Sequence, residues 1–207
     1  MTGGRVVFLD LLRDRYFCLP FKTEAAFLRL RAGEGQPGDF ALLRPLVDRE
    51  LLVKGKESAE AGFQLPPPTA DFLAPPFPPA PMLDVLRALR IELGAAWLLR
   101  RRSFLEAIER ARRPLRNAPQ SAASPERLRS IISASAAAGL VLRTADRCLP
   151  RALAVHSLAR RSGIRSRLVI GVRMNPFAAH CWAQLDERVL VGDHEQARLF
   201  TPILVAG

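Results

Sequence analysis

The feature that most constrains the fold of this 207-residue chain is a stretch dense in proline, PPPTADFLAPPFPPAP, at residues 66–81. Proline fixes φ and lacks the backbone N–H, so such a stretch forms neither a regular helix nor a central strand. Its composition is typical of a stiff, extended linker. The sequence therefore predicts a domain boundary here, with one unit at residues 1–65 and a larger unit at residues 82–207.

The unit before the linker begins with two short apolar runs, RVVFLDL and RYFCL, which predict a β-hairpin. Thr23 is the expected N-cap of a helix that ends before Gly33. Asp39 and Pro45 mark two further short helical pieces. A hairpin followed by three short helices resembles a small winged-helix-like module.

The unit after the linker begins with three helical patterns: MLDVLRALRIELGAAWLLRR, SFLEAIERARR and, opened by Ser124 and Pro125, SPERLRSIISASAAAGLVL. A helix from Cys148 to about Arg161 follows. Three short apolar runs then come, RLVIGVR, HCWAQL and RVLV, and the turn signals between them predict an antiparallel meander. Helices followed by a helix and a sheet predict an α+β fold.

The formal net charge of +11 raises the question of an acidic partner. Residues 1–65 contribute 10 basic and 9 acidic side chains, whereas residues 66–207 contribute 21 and 11. The near-neutral first unit argues against nucleic-acid binding by that unit. The arginine-rich stretch at residues 98–117 predicts a helix with a charged face. A solvated face is the simplest interpretation, and a patch for an acidic peptide, a partner protein, RNA or a membrane surface is the alternative.

Three cysteines without a pairing pattern argue against a disulfide framework and for a reducing compartment. The three scattered histidines do not suggest a metal site. The N-terminal residues lack the pattern of a signal peptide, and the weakly polar run at residues 131–142 is too short to span a bilayer. We therefore expect a cytoplasmic protein without stable membrane insertion.

Cys148 is the strongest candidate for a nucleophile. Pro150 is tolerated only in the first turn of a helix, so it places Cys148 at the helix start. The unpaired N–H groups and the positive end of the helix dipole favour a thiolate at that position. A structural role as a small buried side chain is the alternative interpretation.

His180 and Asp193 complete a candidate triad. His180 begins the second predicted strand and Asp193 follows the third, so a tight turn would make them cross-strand neighbours. A carboxylate there would orient the imidazole. The alternation of a strand points Cys181 to the face opposite His180, which argues against Cys181 as the nucleophile. A shift of one residue in register would leave Asp186 or Glu195 as the candidate carboxylate.

The segment CLPRALAVHSLARRSGIRSRLVIGV, followed by HCW and by an Asp after the next strand, resembles the B protein of lasso-peptide biosynthesis. That family belongs to the transglutaminase-like group of the papain-like superfamily. The resemblance implies a cysteine leader peptidase with Cys148 as nucleophile, His180 as general base and acid, and Asp193 as orienting carboxylate. FLDLLRDRYFCL and the helices after it resemble the leader-recognition element of such systems, here fused to the peptidase.

The resemblance also implies the partners. These are the leader of a ribosomally made precursor, which adds as a strand to a sheet edge, and an asparagine-synthetase-like cyclase that closes a macrolactam ring. No intrinsic cofactor is expected, because the sequence has no P-loop and any ATP would be consumed by the cyclase. Two alternatives remain open: an acyltransferase or transglutaminase with the same triad, and a basic binding module without enzymatic activity.

Overall fold

A computed structural model describes residues 3–52, 65–113, 124–142 and 147–207. The chain begins with an antiparallel hairpin of strand β1 (Val7–Asp10) and strand β2 (Arg15–Cys18). The Asp10 carboxylate accepts hydrogen bonds from the backbone N–H groups of Leu12 and Arg13, both at 3.1 Å, and so closes the turn. The predicted hairpin is confirmed.

Two helices follow the hairpin, α1 (Phe21–Arg31) and α2 (Asp39–Asp48). The prediction of Thr23 as the N-cap is wrong, because Pro20 occupies that position and its carbonyl accepts from the N–H of Glu24 at 2.9 Å. The prediction of two helical pieces at Asp39 and Pro45 is also wrong. Pro45 lies inside one continuous helix, which buries leucines on both sides of it. A winged-helix-like arrangement remains a prediction.

Four helices form the first part of the larger unit: α3 (Met82–Arg101), α4 (Phe104–Arg112), α5 (Pro125–Val141) and α6 (Cys148–Arg161). They match the predicted helical patterns, and the hydroxyl of Ser124 caps α5 by accepting from the N–H of Arg127. The single helix predicted at residues 98–117 is wrong. Ser103 caps a new helix there, so α3 and α4 are separate, and residues 114–117 lie outside the described part of the chain.

The sheet has five strands in the order β3-β6-β5-β4-β7. Strands β4 (Arg167–Arg173), β5 (Ala178–Leu185) and β6 (Arg188–Val191) are antiparallel neighbours, which confirms the predicted meander. Strand β7 (Thr201–Ala206) pairs antiparallel with β4, and the short helix α7 (His194–Arg198) precedes it. The observed architecture is therefore mixed α and β, as expected.

The proline-dense segment lies along one edge of this sheet. Its two-residue strand β3 (Ala70–Asp71) pairs in parallel with β6. The carbonyl of Pro66 accepts from the Gln184 side chain at 2.8 Å, and the N–H of Phe72 donates to Val189 at 2.8 Å. The predicted absence of a helix and of a central strand is confirmed, and the domain boundaries stay predictions. We call residues 65–81 the proline strap.

The sheet is covered on both faces. Helix α6 packs on one face, where Val155, Leu158 and Ala183 belong to one apolar cluster. The other face holds a smaller cluster centred on Trp182 and Phe200. No helix in the described parts of the chain is long and apolar enough to cross a membrane.

Candidate active site

Cys148 is the first residue of α6, and its side chain is exposed. The helix begins there because Arg147 provides the cap residue, whose carbonyl accepts from the N–H of Arg151 at 3.1 Å. Pro150 occupies the first turn, where its missing N–H costs no helical hydrogen bond. The predicted position of Cys148 in the first turn of a helix is confirmed.

The exposed thiol opens into a cleft of about 570 Å³. The cleft contains all three residues of the candidate triad, Cys148, His180 and Asp193. Apolar side chains from the proline strap and from α5 form its walls: Leu73, Pro75, Phe77, Ile132 and Leu140. A cleft of this size and composition suits a peptide or a small organic substrate.

His180 is held in place by aromatic neighbours. It lies on β5 opposite Gly171 of β4, and its ring centroid is 5.9 Å from that of Trp182 and 5.3 Å from that of Phe200. Its Nε2 atom is buried and has no hydrogen-bond partner among the described residues. An imidazole nitrogen without a partner keeps its capacity to accept a proton.

Burial lowers the pKa of His180 below its ordinary value, and the negative charge of Asp193 opposes this shift. The imidazole is therefore neutral at neutral pH and can accept a proton. Gly192 lies beside the imidazole: a Cβ atom on it would be 3.6 Å from Nε2, an ordinary van der Waals contact. The backbone of Gly192 has a φ of +113°, which other residues rarely adopt.

Asp193 does not lie at the position that the predicted strand pairing gave it. Strand β6 ends at Val191, which pairs with Ala183, and a register shift follows between Ala183 and Gln184. The prediction that His180 and Asp193 are cross-strand neighbours is therefore wrong. Asp193 lies beyond the strand and caps α7, where its Oδ1 accepts from the N–H groups of Glu195 at 2.8 Å and Gln196 at 3.3 Å.

Asp193 nevertheless acts on His180 through its charge, and both line the same cleft. The two other candidate carboxylates, Asp186 and Glu195, are not among the residues that line it. Asp186 lies in the turn at the end of β5 remote from His180. A catalytic role for Asp193 stays a prediction, and the geometry favours it over both alternatives.

Cys181 faces away from His180, as predicted. It packs in the apolar cluster of Leu153 and Leu168, whereas His180 packs against Trp182 and Phe200. Burial raises the pKa of the Cys181 thiol well above its ordinary value. Cys181 also borders the cleft, but a buried, protonated thiol is a poor nucleophile.

Sequence reasoning missed a buried charge cluster behind Cys148. The Glu92 carboxylate of α3 is 1% exposed and lies 3.9 Å from Nη1 of Arg147 and 3.6 Å from Nε of Arg151. Gly139 of α5 makes space for the Arg151 side chain, because a Cβ atom on Gly139 would lie 2.8 Å from Nη2 of Arg151. A signal was present in the sequence: Glu92 lies one helical turn after Ala88, on the buried face of α3.

A second missed contact joins the proline strap to His194, the residue after Asp193. Asp71 accepts from the backbone N–H of His194 at 2.9 Å, and its other oxygen lies 3.1 Å from Nδ1 of the same residue. Asp71, Asp193 and His194 bring ligand atoms within 4.8 Å of one another. Hydrogen bonds within the protein account for this cluster, and nothing else about it points to an ion.

An accessible thiol at a helix start, in one cleft with a neutral and unpaired imidazole, can perform nucleophilic acyl transfer. Comparison of the chain with curated proteins and with solved structures gave no match. A family model, described as the transglutaminase-like superfamily, matches residues 89–205. This match runs from α3 to β7 and includes Cys148, His180 and Asp193. The chain therefore belongs to the transglutaminase-like superfamily.

Proposed function

We propose that the chain is a cysteine endopeptidase that removes the leader from a lasso-peptide precursor. The observation that carries this proposal is the exposed Cys148 at the first residue of α6, in one cleft with the unpaired Nε2 of His180. Membership of the transglutaminase-like superfamily supports thiol-dependent acyl chemistry. The resemblance of residues 147–193 to lasso B proteins supports the finer assignment.

In the proposed reaction the Cys148 thiolate attacks the scissile carbonyl carbon at the end of the leader. The backbone N–H of Cys148 stabilises the oxyanion. His180, which has taken the proton of the Cys148 thiol, gives that proton to the departing amine of the core peptide as the C–N bond breaks, and a thioester forms. His180 then takes a proton from water, whose oxygen attacks the thioester. The leader leaves with a free carboxylate, and Cys148 is regenerated.

The N-terminal unit is proposed to bind the leader as an added strand on the β1–β2 hairpin, in a winged-helix-like arrangement. The hairpin lies near the cleft. The rings of Tyr16 and Phe177 pack at a tilted angle with centroids 5.4 Å apart, and Leu9 and Leu11 pack in the same apolar cluster as Leu149, the residue after Cys148. A leader bound there would emerge close to the nucleophile.

The same proposal assigns the partners. The cleaved core passes to an asparagine-synthetase-like cyclase, and any requirement for ATP belongs to that cyclase. We propose a cytoplasmic location, where the precursor is made and where the thiols of Cys18 and Cys148 remain reduced. Nucleic acid is not among the proposed partners.

The decisive experiment replaces Cys148 with Ala in the full chain and follows both cleavage and leader binding. We expect cleavage to be abolished and the dissociation constant for a synthetic leader to be unchanged. Ser162→Ala, at the opposite end of α6 and outside the cleft, is the control and should cleave normally. Cleavage by the Cys148→Ala variant would refute the proposed nucleophile.

A transferase that passes the acyl group to an amine is the second candidate, because the matching family is the transglutaminase-like one. The two functions differ only in what resolves the thioester. Incubating enzyme and precursor with a primary amine separates them. The leader ends in a carboxylate if water is the acceptor and in an amide if the amine is.

A further inference from the structure

A second concave site lies between α3, α4 and α6, away from the cleft. It is a pocket of about 420 Å³ beside the part of α6 from Leu153 to Arg161, roughly 8 to 20 Å along that helix from Cys148. Four arginines line it, Arg90, Arg110, Arg160 and Arg161, and its described lining includes no carboxylate. Ile91, Leu98 and Leu153 are among its apolar residues. We call it the arginine pocket.

The charge of the arginine pocket is not neutralised by the described parts of the protein. Arg160 donates to the carbonyls of Arg110, Ala111 and Arg113 at the end of α4, which fixes its guanidinium. Arg90, Arg110 and Arg161 have no carboxylate partner within residues 3–52, 65–113, 124–142 and 147–207. A guanidinium that has no carboxylate partner within the protein is suited to bind the carboxylate of another molecule.

An apolar stripe on α3 borders the pocket. Leu86, Arg90, Leu93 and Trp97 are spaced by four, three and four residues, which places them on one face of the helix. The three apolar side chains are 54%, 48% and 58% exposed. The stripe meets the pocket at Arg90, and Gly94 and Leu98, on adjoining positions of α3, line the pocket itself.

We propose that the stripe and the arginine pocket together dock an acidic, amphipathic helical segment of a partner protein. Carboxylates of that segment enter the pocket, and its apolar side chains cover Leu86, Leu93 and Trp97. Charge complementarity selects this occupant. A second copy of the chain would bring a like charge of +11, a flat bilayer cannot fill a concave pocket, and nucleic acid would leave the leucines exposed.

The test uses the full chain and a synthetic helical peptide of about 14 residues, or four turns, with leucines on one face and glutamates on the others. The control peptide has lysine at each glutamate position. We expect the acidic peptide to bind and to shift the fluorescence of Trp97, since the other tryptophan, Trp182, is fully buried. The lysine peptide should not bind.

Two charge-reversal variants, Arg90→Glu and Arg161→Glu, should each weaken binding about tenfold, because each removes a cation that faces the peptide and replaces it with a like charge. Both side chains are exposed, so the fold should tolerate the change. Arg188→Glu, an exposed arginine at the start of β6 that lines neither the cleft nor the arginine pocket, is the matched control and should bind normally. None of the three changes should affect leader cleavage, so this proposal stands or falls separately from the peptidase.

Several results would overturn the docking proposal. One is equal affinity for the acidic and basic peptides, and another is Trp97 already shielded from acrylamide in the free protein. Tighter binding to vesicles of phosphatidylcholine and phosphatidylglycerol than to the peptide would indicate a membrane surface instead. Self-association in sedimentation that is lost on Trp97→Ala would indicate a second copy of the chain.

Discussion

Gly171 is the residue on which the position of His180 most depends. It lies opposite His180 in the pairing of β4 with β5. A Cβ atom on Gly171 would lie 2.8 Å from Cβ of Phe200 and 2.9 Å from the ring of Trp182. These two aromatic side chains hold the imidazole, so the absence of a side chain at Gly171 allows them to pack around it.

We therefore expect Gly171→Ala to cost about 1–3 kcal/mol of stability through overpacking. It should also lower leader cleavage strongly, because Trp182 and Phe200 must move and His180 with them. Gly38→Ala is a suitable control, since no atom lies within 4 Å of the added Cβ. Urea denaturation and cleavage rates measured on both variants check this, and wild-type cleavage by Gly171→Ala would show that the aromatic packing does not position His180.

His156 is a buried titratable residue outside the cleft. Its Nδ1 lies 3.0 Å from the Ser166 hydroxyl and its Nε2 lies 3.2 Å from the carbonyl of Ala111. The carbonyl can only accept, so Nε2 carries the proton and Nδ1 accepts from Ser166. Burial lowers the pKa of His156 to about 4, although the hydrogen bond to Ala111 opposes that shift.

A lowered histidine pKa makes stability depend on pH in a defined direction. The unfolded chain binds a proton near the ordinary pKa of about 6.5, but the folded chain does so only near 4. Protonation of His156 therefore does not affect the free energy of unfolding above about pH 6.5. As the pH falls from there towards 4, the free energy of unfolding decreases by about 3 kcal/mol in total. Denaturation at a series of pH values should show the loss. His156→Gln should remove it, and an unchanged slope in that variant would contradict the assignment.

At the scale of elements, Glu92 attaches the start of α6 to α3. Its buried carboxylate lies between Arg147 and Arg151, the residues that flank Cys148. Removing one partner of a buried ionic cluster leaves charges without compensation. The orientation of the nucleophile therefore depends on a helix that contributes no residue to the triad.

We expect Glu92→Ala to cost about 3–5 kcal/mol of stability. Glu106→Ala is the matched control, because that side chain is 43% exposed and its pairing with Arg102 at 4.0 Å is a surface contact. The control should change stability by less than about 1 kcal/mol. Equal losses in calorimetry of the two variants would mean that the buried cluster does not hold α6.

The elements that the sequence predicted well are those defined by local signals. Ser124, Pro125 and Pro150 locate helix starts, and the alternation of β5 separates His180 from Cys181. Strands β3 and β7 were not predicted, because β3 has two residues and the pairing of β7 with β4 is not local. The place of Asp193 was predicted less well than that of Cys148, since it depends on a register shift in β5 and β6 that no local pattern encodes.

At the scale of the whole molecule, the N-terminal hairpin joins two apolar clusters. Leu9 and Leu11 pack against the cluster that contains α4, α6 and the sheet. Phe8 and Phe17 pack instead with the residues of α1 and α2. The hairpin therefore couples the smaller unit to the larger one through side-chain packing as well as through the chain itself.

This coupling predicts one cooperative unfolding transition for the full chain. Leu11→Glu should place a charge in the shared cluster and separate the transition into two, because the two units would no longer stabilise each other. The neighbouring Leu12 is 73% exposed, so Leu12→Glu is the matched control and should keep one transition. Scanning calorimetry distinguishes the variants, and two transitions in the unmodified chain would show that the units unfold independently.

The proline strap has a further consequence for how this protein behaves at high concentration. A sheet edge with free N–H and C=O groups is a template on which another chain can build a fibril. Here the outermost strand, β3, has only two residues and follows prolines at 66–68, which have no N–H to offer. The strap thus closes the β6 edge to growth, and the same prolines that bar a central strand protect the protein from aggregating through this edge of its sheet, which lies opposite the β7 edge.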